Sequence, residues 1–190
     1  MTTNLISPLN IPRYYHYDAL KVINGLYTIP RTGFKDRGVK NCETVGEHTD
    51  AVILMAKELF PEIINLQRML KIHDWPEFLT GDLRTDSYAT KEQKVSKKEK
   101  YDLELQAMKV ICNRLGYYGR EILALWLEFE SQETRRAKIA KEIDKVQSIL
   151  KASYYEAQGE QVLARHFYEE YKNQIKEPKL IKKLEIIGFK

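Results

Sequence analysis

Apolar residues recur at three- and four-residue spacing along most of this chain, with no convincing period-two alternation between turn signals, so the pattern predicts an all-α protein without significant sheet. A first helix is predicted from about Tyr14 to Leu26, ending before Ile29-Pro30-Arg31-Thr32-Gly33-Phe34, where proline and glycine interrupt it. Phe34 to Glu43 carries no period and reads as loop. Thr44, with Glu47 three residues on, forms a capping box ahead of Val45, Ala51, Val52, Met55, Ala56 and Leu59. Beyond Pro61 another helix carries Ile63, Leu66, Met69, Leu70 and Ile72 and ends near His73-Asp74-Trp75-Pro76. Gly81 to Thr90 is polar, and Lys91 to Lys100 holds five lysines without an apolar stripe, so it reads as a loop or an exposed helix start. Leu103–Leu115, closed by Gly116, and Arg120–Ser131 are predicted next, followed by the longest pattern, about Glu133 to Gln158, which stops at Gly159. Glu160–Ile175 and Lys179–Ile187, the latter opened by Pro178, complete the set. With no repeat and no Gly/Ser-rich linker, residues 1–190 are expected to form one bundle of about six to eight helices. Its core would span about 20–155, with C-terminal helices at 160–190 packed on it.

Composition narrows the class. A chain of 190 residues with 43% hydrophobic content is large enough for a core that needs no disulfides. Only Cys42 and Cys112 are present and no signal-like apolar stretch opens the sequence, which suggests a reducing, cytoplasmic setting. Neither cysteine has neighbours that would lower a thiol pKa, so neither reads as a nucleophile. No apolar run approaches the length of a membrane span. Basic residues number 31 and acidic ones 27, a surplus too small to indicate nucleic-acid binding by itself but compatible with a small anionic ligand.

Chemistry is suggested by polar groups in places that should bury hydrocarbon. His48 lies three residues after Val45, four before Val52 and seven before Met55, on or beside the inward stripe of its helix. His73 and Asp74 end a buried-looking helix, where they are costly to desolvate unless paired or coordinating a cation. Asp144 sits mid-helix on a flank shared with Ala137, Ala140 and Ser148, small neighbours that leave room for something else. Each alone is commonplace: an inward histidine is usually a satisfied core residue and a mid-helix aspartate is usually solvated. Together they offer two imidazoles and two carboxylates, a donor set suited to manganese, cobalt, iron or zinc. Lys91, Lys94, Lys97, Lys98 and Lys100 read as a solvated face, with steering of a phosphorylated ligand as the alternative. The tyrosines at 14–17, 117–118 and 154–155 read as helix packing with the hydroxyl at the surface.

The ordered pattern His48, His73-Asp74, Asp144 resembles the HD-domain superfamily of metal-dependent phosphohydrolases. In detail the chain is similar to its small 5'-deoxynucleotidase branch. The likeness is carried by Ile29-Pro30-Arg31-Thr32-Gly33-Phe34, Glu43-Thr44-Val45-Gly46-Glu47-His48, His73-Asp74-Trp75-Pro76-Glu77, Thr80-Gly81-Asp82-Leu83, Leu125-Trp126-Leu127-Glu128-Phe129-Glu130 and Lys141-Glu142-Ile143-Asp144-Lys145. It implies an HD-domain helical bundle in which His48, His73, Asp74 and Asp144 hold one divalent ion (Mn, Co, Zn, Fe or Mg), with room for a second near Glu77 and Asp82. It further implies that Glu77 orients or deprotonates water with Asp82 assisting, and that Arg31, Thr32, Asp74 and Leu83 meet the substrate. Arg31 suits phosphate because a guanidinium grips its oxygens bidentately. In some members of the branch a tryptophan follows this arginine; here Thr32 stands there, and Phe34 and Trp75 are left as aromatic surface or as core. The implied activity is hydrolysis of a deoxyribonucleoside 5'-monophosphate to deoxynucleoside and phosphate, by a homodimer. The alternatives are an HD-domain deoxynucleoside triphosphate triphosphohydrolase and a nucleotide-binding regulatory domain without turnover; a nuclease finds little support in the charge.

Overall fold

A computed structural model describes residues 19–189, so the predicted helix start at Tyr14 and the tyrosines at 14–17 lie outside the described residues. Ten α-helices and no strands are found among the described residues: α1 (Ala19–Leu26), α2 (Thr32–Lys35), α3 (Val45–Leu59), α4 (Leu66–Ile72), α5 (Glu77–Thr80), α6 (Lys97–Arg114), α7 (Tyr117–Ser131), α8 (Arg135–Ala157), α9 (Ala164–Tyr171) and α10 (Pro178–Ile186). α2 and α5 are single turns, and a 3₁₀ turn, Lys172–Gln174, extends α9. Setting the two single turns aside leaves eight helices, which agrees with the all-α bundle expected from periodicity.

α8 is the axis of the bundle. Its N-cap Thr134 accepts from the Ala137 N–H, and at 23 residues it is roughly 35 Å long at 1.5 Å per residue. Ala137, Ala140 and Ala152 are fully buried on it, and such small side chains let α3, α4, α7, α9 and α10 approach closely. The main core joins Val52 and Ala56 of α3, Leu66, Met69 and Leu70 of α4, Phe129 of α7 and Ile143, Val146 and Ile149 of α8. A second cluster gathers Val22, Leu26, Ile72, Trp75, Met108, Ile111 and Trp126. α6 and α7 cross at backbone contact, because a Cβ on Gly119 would lie 1.9 Å from the Cys112 carbonyl oxygen.

Several boundaries depart from the periodicity reading. Within the stretch expected to be loop from Phe34, Phe34 and Lys35 complete the α2 turn, and Phe34 is buried against Tyr155 and Phe167. α6 starts at Lys97 rather than Leu103, because the Ser96 hydroxyl accepts from the Glu99 N–H and caps a first turn that is too polar to show an apolar stripe. α7 starts at Tyr117 rather than Arg120: Gly116, at φ +60°, reverses the chain and the helix resumes at once on two exposed tyrosines. α9 starts at Ala164 rather than Glu160. Tyr155, expected to keep its hydroxyl at the surface, is buried, and that oxygen accepts from the Glu43 N–H at 2.7 Å.

Candidate active site

Three helices converge on one spot. The capping box on Thr44, with both reciprocal hydrogen bonds to Glu47 formed, starts α3 so that His48 falls one turn inside it, fully buried. α4 ends at Ile72 with His73 as its C-cap, and the Trp126 indole of α7 donates to the His73 carbonyl at 3.0 Å, pinning the turn that carries Asp74. Asp144 projects from the middle of α8. Here His48 Nε2 lies 3.1 Å from Asp144 Oδ1 and 3.8 Å from Asp74 Oδ2, while His73 Nε2 lies 3.1 Å from Asp74 Oδ2. One ligand atom from each of His48, His73 and Asp74 falls within 4.8 Å of the others.

These buried atoms fit a cation. His73 Nδ1 meets the Leu70 carbonyl at 2.6 Å, and since a carbonyl only accepts, Nδ1 carries a proton and Nε2 is the nitrogen that faces inward. His48 Nε2, His73 Nε2 and Asp74 Oδ2 are all buried and make no properly aligned hydrogen bond. In the neutral form that ligation requires, these imidazole lone pairs would repel carboxylate oxygens at about 3 Å, and a divalent ion among them turns that repulsion into coordination. Burial alone would raise the Asp74 and Asp144 pKa values. For Asp74 the facing imidazoles of His73 and His48 and the Arg31 guanidinium outweigh it, and for Asp144 the His48 imidazole at hydrogen-bond distance, His73 and Arg31 do, so both carboxylates are held below their ordinary range.

His73, Asp74 and Asp144 border a cavity of about 330 Å³ whose wall also carries Arg31, Glu77, Asp82, Leu83 and Lys100. An isolated antiparallel bridge, Pro30 to Thr44, positions Arg31 beside the start of α3. Its guanidinium donates to Ser148 Oγ at 3.1 Å and lies 3.6 Å from Asp74 Oδ2. Burial opposes its charge, but Asp82, Asp74, Asp144 and Glu77 together keep it protonated. Glu77 is 2% exposed, its Oε2 has no partner, and burial together with Asp74 and Asp82 pushes its pKa well above the ordinary value. Asp82 accepts from the Thr32 N–H at 2.6 Å and so closes the turn that presents Arg31. Thr32 itself does not border the cavity, and neither does Trp75, which belongs to the core.

Lys100 is the residue that sequence reasoning misplaced. Its ammonium lies 3.4 Å from Glu77 Oε1 and 3.4 Å from Glu104 Oε1 and donates to the Leu83 carbonyl at 3.0 Å, so it belongs to the cavity wall and not to a solvated face. Lys97, one turn earlier on α6, and Lys141 and Lys145, flanking Asp144, border the cavity too. Glu104, raised by burial to about 7, completes this buried cluster.

The sequence profile of the HD domain matches residues 23–185. The chain belongs to the HD-domain family. It is 35% identical over 159 residues to a 5'-deoxynucleotidase HDDC2 of Dictyostelium discoideum, an alignment covering 77% of this chain and 80% of that protein. It is 34% identical over 145 residues to 5'-deoxynucleotidase hdd1 of Schizosaccharomyces pombe, covering 72% and 70%. The HD-domain fold is shared with the PH0347 protein from Pyrococcus horikoshii, at a TM-score of 0.68 and 18% identity over 89% of this chain and 96% of that one. It is shared also with a "Predicted metal-dependent phosphohydrolase" from Magnetospirillum magnetotacticum, at 0.65 and 23% over 87% of each.

Proposed function

We propose that this protein is a metal-dependent 5'-deoxynucleotidase, hydrolysing deoxyribonucleoside 5'-monophosphates to deoxynucleoside and orthophosphate. The observation that carries the reading is the convergence of two orphaned imidazole nitrogens, Asp74 and Asp144 with the Arg31 guanidinium on one cavity wall. The relatives named 5'-deoxynucleotidase support the substrate class. His48, His73, Asp74 and Asp144 would hold a divalent cation, of the Mn, Co, Zn, Fe or Mg kind. Bound there, it would neutralise phosphate charge and make water more acidic near neutral pH.

The protein's own residues account for the remaining steps. Arg31 binds two non-bridging phosphate oxygens, and Asp82, through the Thr32 N–H, keeps its turn from shifting. Glu77, a stronger base than an exposed carboxylate, takes the proton as a water oxygen bonds to phosphorus, and gives a proton to the 5' oxygen as its bond to phosphorus breaks, so that the deoxynucleoside leaves with its hydroxyl. Its unpartnered Oε2 is the atom that accepts this proton, and with Asp82 it is where a second ion would be held. The cytoplasmic, homodimeric setting that the sequence suggests belongs to the same proposal. Cys42 and Cys112 are free, and no described helix is long and apolar enough to cross a membrane.

Phosphate release from deoxy- and ribonucleoside 5'-monophosphates, with triphosphates alongside, in Mn²⁺, Co²⁺, Zn²⁺ and chelator, tests this. Orthophosphate from the deoxy monophosphates, stopped by chelator, is expected. Release of triphosphate instead, or silence on every monophosphate, would overturn the assignment.

Lys100 adds a prediction about pH. Its charge opposes the burial and the neighbouring carboxylates that raise Glu77, so Lys100→Met should raise the Glu77 pKa further. If Glu77 works as a base, the acidic limb of kcat/KM against pH moves to higher pH in the variant. An unmoved limb would remove Glu77 from that role.

A further inference from the structure

We infer that Glu43 and Gln147 are positioning residues that fix the tautomer of His48 and so aim its Nε2 lone pair at the cation site. The inference rests on the reading of His48 as a ligand. Gln147 lies on α8, three residues past Asp144, and Glu43 precedes the cap of α3. His48 is fully buried, and Glu43 and Gln147 are 4% and 5% exposed, so none of the three can satisfy its polar atoms with bulk water.

The hydrogen bonds from Glu43 to His48 have one consistent direction. A carboxylate only accepts, so the amide nitrogen of Gln147 must face Glu43, and it does, donating to Oε2 at 3.0 Å. That orientation leaves the amide oxygen toward His48, 2.7 Å from Nδ1. An amide oxygen also only accepts, so Nδ1 carries a proton, and Nε2, 3.1 Å from Asp144 and 3.8 Å from Asp74, is the nitrogen left to ligate a cation. Were Glu43 replaced by a group that can donate, the Gln147 amide could turn over, present its NH₂ to His48 and draw the proton to Nε2, the form that cannot ligate.

Glu43 is itself held in place. Its N–H donates to the Tyr155 hydroxyl at 2.7 Å, its carbonyl accepts from the Arg31 N–H at 2.9 Å, and Lys151 lies 3.6 Å from its Oε2. The same residue therefore ties the backbone of the phosphate-gripping arginine to the orientation of a metal ligand. His73 needs no such relay, since a backbone carbonyl fixes its tautomer directly. Partners behind a ligating histidine typically change metal affinity by about 10–100-fold.

Two measurements test the relay. Long-range ¹H–¹⁵N correlation spectra of the metal-free wild-type protein should show a proton on His48 Nδ1, and those of Glu43→Gln a mixture containing the form with Nδ1 bare and the proton on Nε2. Titration with Co²⁺ alone, followed by calorimetry and by the visible absorption of the bound ion, should show affinity reduced about 10–100-fold in Gln147→Leu. Glu43→Gln, which preserves size and needs no repacking, should lie between it and the wild type. A bare Nδ1 on His48 in the wild type, or Gln147→Leu binding Co²⁺ as the wild type does, would overturn the relay while leaving the metal assignment standing. A wild-type protein that takes up no Co²⁺ would overturn the metal reading, and the relay with it.

Discussion

Asp74→Asn is expected to lower phosphate release by about 10³-fold or more, since loss of several kcal/mol of charge stabilisation costs a factor of ten for each ~1.4 kcal/mol. The size follows from how many partners share this one carboxylate. It faces His73 at 3.1 Å, His48 at 3.8 Å and Arg31 at 3.6 Å, so the substitution weakens both the proposed cation site and the electrostatic hold on the Arg31 guanidinium. Asn preserves the shape and removes the charge, which keeps a packing defect from mimicking the result. Thermal unfolding supplies a readout independent of turnover. A cation present at about 100 times its Kd stabilises the wild type by roughly 2.7 kcal/mol, which for a chain of this size raises Tm by about 5–10 °C. That rise should vanish in Asp74→Asn while the metal-free protein keeps its helical circular dichroism. A variant that retained both turnover and the metal-dependent rise would remove Asp74 from the ligand set.

Much of the bundle could be read from the chain because its long helices carry two agreeing signals, an apolar stripe and a cap. α3 has Thr44 with Glu47 ahead of Val45 and Val52, and α8 has Thr134 ahead of Ala137, Ala140 and Ile143. Where the signals part, periodicity fails. The first turn of α6 has its cap in Ser96 but presents lysines, because that turn borders a polar cavity and not the core. The cation site follows the same rule in reverse: His48, His73, Asp74 and Asp144 stand out because they are polar where neighbours are apolar, and the fold does bring them together. Lys100 has no such contrast, lying in a run of lysines, and only the packing of α6 against α5 reveals that its ammonium is drawn in to Glu77. Glu43 and Gln147 were missed for a related reason. An uncharged amide one turn from Asp144 and a carboxylate before a helix cap are each ordinary residues, and their significance lies in a contact across 104 positions of sequence. Thr32 is a further lesson. It stands where some members of the branch that the sequence resembles have a tryptophan, yet the fold uses its backbone N–H, which any residue but proline would offer to Asp82.

Arg31→Lys is expected to lower kcat/KM for a deoxynucleoside monophosphate by about 10–100-fold, with Arg31→Ala lower still. Lysine keeps the positive charge in a cavity whose carboxylates hold the native guanidinium fully protonated, so charge alone does not account for the loss. What disappears is the planar fork. One arm of Arg31 donates to Ser148 and the other lies toward Asp74, and these two anchors set the plane in which remaining N–H groups meet phosphate oxygens. An ammonium can satisfy one anchor and has no fixed plane, and a lost charge-assisted hydrogen bond is worth about 1.5–3 kcal/mol, or roughly 10–100-fold. Inhibition by inorganic phosphate separates binding from chemistry, because orthophosphate presents the same oxygens without a leaving group. Its inhibition constant should rise in parallel with KM in Arg31→Lys, whereas cation-induced thermal stabilisation should stay near the wild-type value, since Arg31 is not a ligand. Unchanged phosphate inhibition in this variant would move the phosphate site off Arg31. The neighbouring cations Lys97, Lys141 and Lys145 on the cavity wall would then be the groups to substitute next.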